Sequence, residues 1–362
     1  MPKLFDPVEM GALSLPNRIL MAPLTRGRAD RDAVPTAIMA DYYAQRASAG
    51  LIISEATGIS REGLGWPYAP GLWNAAQVEG WKPVVAAVHA AGGRIVAQLW
   101  HMGRLVPSSV SGMQPVSASA TRGPNRAHTY DGKQELPEAR AATADDIRRI
   151  LDDYASAARN AMAAGFDGVQ IHGANGYLVD QFLRDGTNLR TDDYGGPIAN
   201  RLRFMREVVE AVAGEVGIER TGIRLSPIGE SQGANDSDNA ALFTAAAAAL
   251  QALGVPWIEL REPGPLSTFR AAYEPAVSPA ISRVYSGRIV LNSDYVGESA
   301  QARLAEGVAD AISFGRPFIA NPDLVERIRR GAALGTPDVT TFYSRGPEGY
   351  TDYRAGSEQE AA

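Results

Sequence analysis

His172, Asn175 and Tyr177 stand close together in the run Ile171-His172-Gly173-Ala174-Asn175-Gly176-Tyr177. An imidazole and a carboxamide can both donate hydrogen bonds to one oxygen. That polarises a carbonyl or nitro group and draws electron density from a conjugated double bond. A phenol beside them is a candidate general acid. The spacing of three suggests that His172 and Asn175 share one face of a helical turn. The alternative for the histidine is a hydrogen-bonded core residue. No short-spaced pair exists among His89, His101, His128 and His172, and there is no cysteine, so no metal site is expected. Iron–sulfur clusters, disulfides and a cysteine nucleophile are excluded on the same ground.

These groups leave the end of an apolar run, Gly168-Val169-Gln170-Ile171, and seven similar runs are found along the chain. They are Arg18–Pro23, Leu51–Glu55, Arg94–Leu99, Gly222–Ser226, Trp257–Leu260, Arg288–Leu291 and Asp310–Phe314. Short apolar strands suit a parallel sheet buried on both faces. Helix-like segments lie between them, such as Ala144–Ala164, Ala199–Ala213 and the alanine-rich Asp238–Leu253. Asp145 and Asp146 suit the first turn of a helix. Alternating β and α units of this number predict an α/β fold, a single (β/α)8 TIM barrel over residues 1–353. Residues 1–17 are expected to form an amino-terminal cap, with a hairpin as a candidate form, and 103–142 a lid-like insertion after the third barrel strand. Residues 354–362 read as a disordered tail.

In such a barrel the chemistry lies at the carboxyl ends of the strands. Gly315-Arg316 follows the eighth strand, ahead of Pro317 and a helix expected from about Asn321. Backbone N–H groups and a cation there suit a phosphate, with Asn292 and Ser293 as further donors; a glycine turn with a surface arginine is the alternative. Arg224 lies inside a strand, where a charge needs a partner. It meets either a ligand or a salt bridge to Glu55 or Glu259. Gln98 and Arg224 together could grip a planar heterocycle with several carbonyl and N–H groups, such as an isoalloxazine. Trp66, Tyr68, Trp100 and Tyr343 could wall an apolar pocket. No P-loop or Rossmann fingerprint is present. The net charge of -6 argues against non-specific binding to nucleic acid or an anionic membrane. No apolar run reaches membrane-spanning length, and the amino terminus lacks an apolar signal core, so a cytoplasmic protein is expected.

The chain resembles the Old Yellow Enzyme family of FMN-dependent ene-reductases, from Leu4-Phe5 to Tyr353. The resemblance is carried by Leu15–Ile19, Ala22–Arg26, Gln98–Arg104, His172–Leu183, Asp192–Gly196 and Phe314–Phe318. The ending Gly349-Tyr350-Thr351-Asp352-Tyr353 is similar to bacterial N-ethylmaleimide and nitrate-ester reductases.

The resemblance implies non-covalent FMN lined by Pro23, Leu24, Thr25 and Ala56, with Thr25 bonded to the ring. Gln98 and Arg224 would contact its pyrimidine side, and Asn292, Ser293, Gly315 and Arg316 its phosphate. His172 and Asn175 would hold the substrate's electron-withdrawing group. Trp66, Trp100 and Tyr343 would shape the pocket. NADPH or NADH would reduce the flavin. Flavin N5 would then pass hydride to the β-carbon of an enone, maleimide or nitroalkene while Tyr177 protonates the α-carbon. A monomer or homodimer is implied, with small molecules as partners.

The sequence departs from the family's commoner pattern at several positions. Asn175 stands where many relatives have a second histidine. Asn292-Ser293-Asp294 replaces a glycine-richer stretch, and Ser344–Pro347 a glycine-rich turn. Thr25 stands where some relatives have a cysteine. Rival readings are another FMN barrel, such as a hydroxy-acid oxidase or a dihydroorotate-type dehydrogenase, or a non-catalytic flavin- or steroid-binding barrel. The iron–sulfur dienoyl reductases share the barrel but need cysteines absent here.

Overall fold

The computed structural model describes residues 1–262 and 275–356. The expectation for the tail therefore falls mainly on residues 357–362, outside the described residues. Eight parallel strands close into a barrel: β3 (Ile19–Met21), β4 (Leu51–Gly58), β5 (Ile95–Trp100), β10 (Gly168–Gly173), β11 (Thr221–Leu225), β12 (Trp257–Arg261), β13 (Arg288–Asn292) and β14 (Ala311–Phe314). Each matches one of the apolar runs read from the sequence. Burial on both faces follows from the barrel itself: one face packs inward and the other under the helices.

The helix Ala144–Ala164 has the bounds that its pattern predicts. Thr143 accepts from the Asp146 backbone, Asp146 returns the bond to Thr143, and Gly165 closes the far end in a left-handed conformation. Caps of this kind contribute about 1 kcal/mol each. The segment Ala199–Ala213 divides into a turn, Ile198–Arg201, and a longer helix, Arg203–Val216. The helix expected from about Asn321 runs over Leu324–Arg330, and a short one, Arg316–Ala320, precedes it. Pro317 sits in the first turn, where its missing N–H has no helical partner to lose. Among the described residues no helix is long and apolar enough to cross a membrane.

β1 (Val8–Met10) and β2 (Leu13–Leu15) form an antiparallel hairpin. Its buried side chains, Val8, Met10, Leu13 and Leu15, cluster with Leu20, Ile53, Val96, Trp257 and Val290 from the barrel strands. The hairpin thus stops the amino-terminal end of the barrel. At the other end, residues 103–142 hold two small β units. β6 (Val116–Ser117) pairs with β9 (Arg140–Ala141), and β7 (Arg126–Thr129) with β8 (Gly132–Glu135). The second unit is an antiparallel hairpin that brings His128 within 4.9 Å of the Trp66 ring, centroid to centroid.

Candidate active site at the barrel mouth

The strand register places His172 beside Arg224 and Arg224 beside Glu259. One residue pair further up, Arg261 lies beside Asn292 and Asn292 beside Ser313. With a side-chain period of two, these become stacked inward-facing layers. Arg224 Nη1 donates to Glu259 Oε1 at 2.5 Å, and Nη2 donates to Asn292 Oδ1 at 2.7 Å. Of the two ion-pair partners considered from the sequence, Glu259 is the one that forms. Glu55 instead accepts from the backbone N–H groups of Arg26 and Gly27, at 3.1 and 3.3 Å, and so shapes the loop after Thr25.

The network continues around the barrel. Gln98 donates to Gln170 at 2.8 Å, Gln170 donates to Glu259 Oε2 at 2.8 Å, and Ser313 Oγ donates to Glu259 Oε1 at 2.5 Å. Glu259 is fully buried, so these donors are what keep its carboxylate in the interior. Asn292 spends its carboxamide here too, donating to the Ser313 carbonyl at 2.9 Å. Its amide nitrogen has a second N–H, and the residue also lines the cavity at the mouth.

Beside this layer lies the donor pair. His172 is in β10, not in a helical turn, and Asn175 has a left-handed backbone, φ 61°. The expected helical face is therefore wrong; a sharp turn brings the two side chains to the site instead. Asparagine tolerates that conformation better than most residues. The turn is tied down: Asn175 N donates to Ser226 Oγ at 2.8 Å, and Gly176 N to Asp180 Oδ2 at 2.8 Å. Arg184 Nε holds Asp180 Oδ1 at 2.8 Å, and both side chains are fully buried. Gln181 adds a second tie. Its Nε2 donates to the Gly176 carbonyl at 2.7 Å, while its Oε1 accepts from Ser117 Oγ at 2.8 Å and from Arg104 N at 3.1 Å. A Cβ on Gly103, φ 60°, would lie 2.0 Å from that oxygen, so only glycine fits.

Trp100, ending β5, packs against both remaining groups. Its ring centroid is 4.9 Å from that of Tyr177, edge to face, and 6.4 Å from that of His172. His172 and Tyr177 are 5.0 Å apart. Burial pushes the His172 imidazole well below its usual range, and the cations Arg224 and Arg261 push the same way, so it is neutral. Burial also holds the Tyr177 phenol above its usual range, with Tyr343 adding to the shift, so it keeps its proton. Trp66 and Tyr343 form the rim, with centroids 5.0 Å apart. His128 joins them through the insertion hairpin, 5.8 Å from Tyr343.

A cavity of about 430 Å³ opens next to this site, lined by Leu24, Arg261, Asn292, Ser293, Gly315 and Arg316, among others. The sequence-predicted phosphate residues thus meet in one concave place. Ser293 and Asp294 adopt positive φ, 135° and 46°, a conformation that favours glycine. The far wall, Leu334–Pro337, carried no signal in the sequence. Pro23, Thr25 and Ala56 come from the ends of β3 and β4, and a register shift between Ile53 and Ala56 locally breaks the β4–β5 ladder. Arg261, Gln170 and Asp180 were missed from sequence. Arg261 had one usable sign, a charge at the carboxyl end of an apolar strand.

Buried polar atoms without a protein partner include Arg224 Nε, His172 Nδ1 and Trp100 Nε1, all at the mouth. An unpaired buried donor costs on the order of 1–3 kcal/mol. A planar heterocycle with carbonyl and ring-nitrogen acceptors, continued into a phosphate, fits such a donor set, and FMN has that form.

The chain matches the model of the NADH:flavin oxidoreductase / NADH oxidase family over residues 3–334. A solved Old Yellow Enzyme homologue from Zymomonas mobilis is 59% identical, with a TM-score of 0.96, covering 98% of this chain and 99% of that one. Morphinone reductase, solved in complex with tetrahydroNAD, is 47% identical with a TM-score of 0.93, covering 98% of each chain. A probable flavin mononucleotide-dependent alkene reductase of Leishmania infantum is 42% identical, covering 97% of this chain and 96% of its own length. The matches extend over nearly the whole barrel, and the chain belongs to the Old Yellow Enzyme family of FMN-dependent oxidoreductases.

Proposed function

We propose that the protein reduces the C=C bond of activated alkenes (enones, maleimides, nitroalkenes) at the expense of NADPH or NADH. The observation that supports this best is the convergence of His172, Asn175 and Tyr177 around Trp100, beside the Arg224–Glu259 layer. FMN would be held by Pro23, Leu24, Thr25 and Ala56 along the ring, by Gln98 and Arg224 at its polar edge, and by Ser293, Gly315 and Arg316 around the phosphate, with Asn292 bracing Arg224. Bound FMN supplies the chemistry of hydride acceptance from the nicotinamide and hydride donation to the alkene's β-carbon.

The protein's own groups do the rest. His172, neutral, and Asn175 donate to the carbonyl or nitro oxygen, which lowers electron density at the β-carbon. Tyr177 keeps its proton and is placed to release it to the α-carbon as negative charge gathers there. Trp100 orients both rings and excludes water. Trp66 and Tyr343 bound the space left for the substrate. The two reactants use one mouth, so they follow one another in ping-pong fashion.

The test is turnover of cyclohexenone with NADPH under argon, by protein stripped of flavin and then reloaded. Loss of activity on stripping and its return with FMN support the reading. Reloaded yellow protein that reduces no enone, maleimide or nitroalkene overturns it.

A further inference from the structure

Asn175 is an ambiguous anchor. A carboxamide offers one acceptor atom and one donor atom, and a half-turn of its side chain exchanges them. Left to rotate, it would accept from a substrate N–H as readily as it donates to a substrate oxygen. Arg261 removes that freedom. Its Nη1 lies 3.1 Å from Asn175 Oδ1. A guanidinium has donors only, so the atom facing it must be the oxygen. The amide nitrogen is thereby turned the other way. The backbone cannot compensate, since Asn175 N is already tied to Ser226 Oγ.

We propose that Arg261 is a positioning residue that makes Asn175 a donor only, and so restricts the site to ligands presenting an acceptor oxygen; this rests on His172 and Asn175 being the substrate anchor. Arg261 ends β12 and is mostly enclosed. It also lines the 430 Å³ cavity, so a single side chain reaches from the phosphate end of the site to the substrate end. Burial and the neighbouring cations Arg224 and Arg316 work against its charge, and Asp294 and Asp180 work in its favour. On balance burial and the neighbouring cations prevail and hold its pKa below the ordinary guanidinium range, so it is not a solvated surface group.

The acceptor preference has a chemical consequence. Carbonyl, nitro, imide and phenolate oxygens match two donors. A primary amide presenting its N–H₂ to Asn175 meets a second donor and an unpaired buried group.

The test is binding of p-hydroxybenzaldehyde to FMN-loaded protein, followed by the long-wavelength charge-transfer band of a phenolate over flavin. Arg261→Gln is expected to weaken binding roughly tenfold, and Asn175→Ala by a similar factor. In the Asn175→Ala background, Arg261→Gln should add less than about twofold, because nothing is left for it to orient. FMN affinity, measured by fluorescence on the apoprotein, separates this from a role in holding the cofactor. Arg261→Lys keeps a donor-only cation beside Asn175 and is expected to retain most of the phenol binding, while Arg261→Met, which has no donor, serves in place of the glutamine variant if that one does not retain FMN. Additive losses, or unchanged phenol binding in Arg261→Gln while Asn175→Ala weakens it, overturn the inference and leave the anchor standing. Unchanged binding in Asn175→Ala overturns the anchor and the inference together.

Discussion

Arg224 and Glu259 face one another on adjacent strands, Nη1 to Oε1 at 2.5 Å, with both side chains almost wholly out of solvent. Removing one partner of such a pair leaves an uncompensated buried charge. Glu259→Ala should therefore cost about 3–5 kcal/mol of stability. Glu259→Gln keeps the shape and one acceptor and should cost less. Urea unfolding of the apoprotein measures both; equal, small losses would mean the pair is dispensable.

Tyr177→Phe removes the proposed acid but keeps the ring against Trp100. Alkene reduction should fall by roughly 10²-fold or more, while flavin reduction by NADPH changes by less than about twofold. Stopped-flow measurement of the two half-reactions decides the matter. Because burial raises the phenol's pKa, the wild-type rate should not decline as pH passes through the ordinary phenol range near 10.

His172 and His101 are both buried, and burial lowers the pKa of each, that of His101 to about 3. The unfolded chain takes up protons at these positions near pH 6.5, the folded chain well below. Stability is then complete above about pH 6.5 and is lost as pH falls, by about 1.4 kcal/mol per pH unit for each histidine. Urea midpoints at pH 7.5 and pH 5 test the sign. A protein equally stable at both would refute the neutral assignment.

Gly103→Ala drives a Cβ into Gln181, whose amide is bonded on both sides. A loss of about 2–4 kcal/mol is expected. The Gly176 carbonyl bond should go with it, so alkene turnover should fall too. Thermal unfolding and kinetics on the same sample give the answer; normal stability would show that Gln181 can move aside.

Riboflavin lacks the phosphate that the cavity beside Ser293, Gly315 and Arg316 is proposed to take. It should bind the apoprotein at least about 100-fold more weakly than FMN, and Arg316→Ala should narrow that gap. Fluorescence titration with both flavins is sufficient. Equal affinities would move the phosphate elsewhere.

The frame of the protein is legible in its sequence because the barrel repeats one pattern. Short apolar strands and capped helices such as Ala144–Ala164 carry local signals. The site is legible where polar groups stand at strand ends, as His172, Gln98 and Arg224 do. Gln170 is harder to read: it is a single polar residue inside an apolar strand, and its partners Gln98 and Glu259 come from other strands, which no local window contains. For Glu259 the sequence offers the pairing with Arg224 as one of two, and only the strand register decides between them. The same reason hides the Arg261–Asn175 bond, which joins residues 86 positions apart. The left-handed turn at Asn175 is hidden as well, because spacing by three is shared by helices and by tight turns.

The hairpin of Val8–Met10 and Leu13–Leu15 has a kinetic meaning. Together with the side chains that fill the barrel interior, it leaves the mouth as the way to the site. Whatever enters must leave by the way it came, past Trp66 and Tyr343. Spent coenzyme must clear the rim before an alkene can descend. At high concentration each reactant should therefore obstruct the other, and throughput should respond to the width of the rim as much as to the chemistry below it.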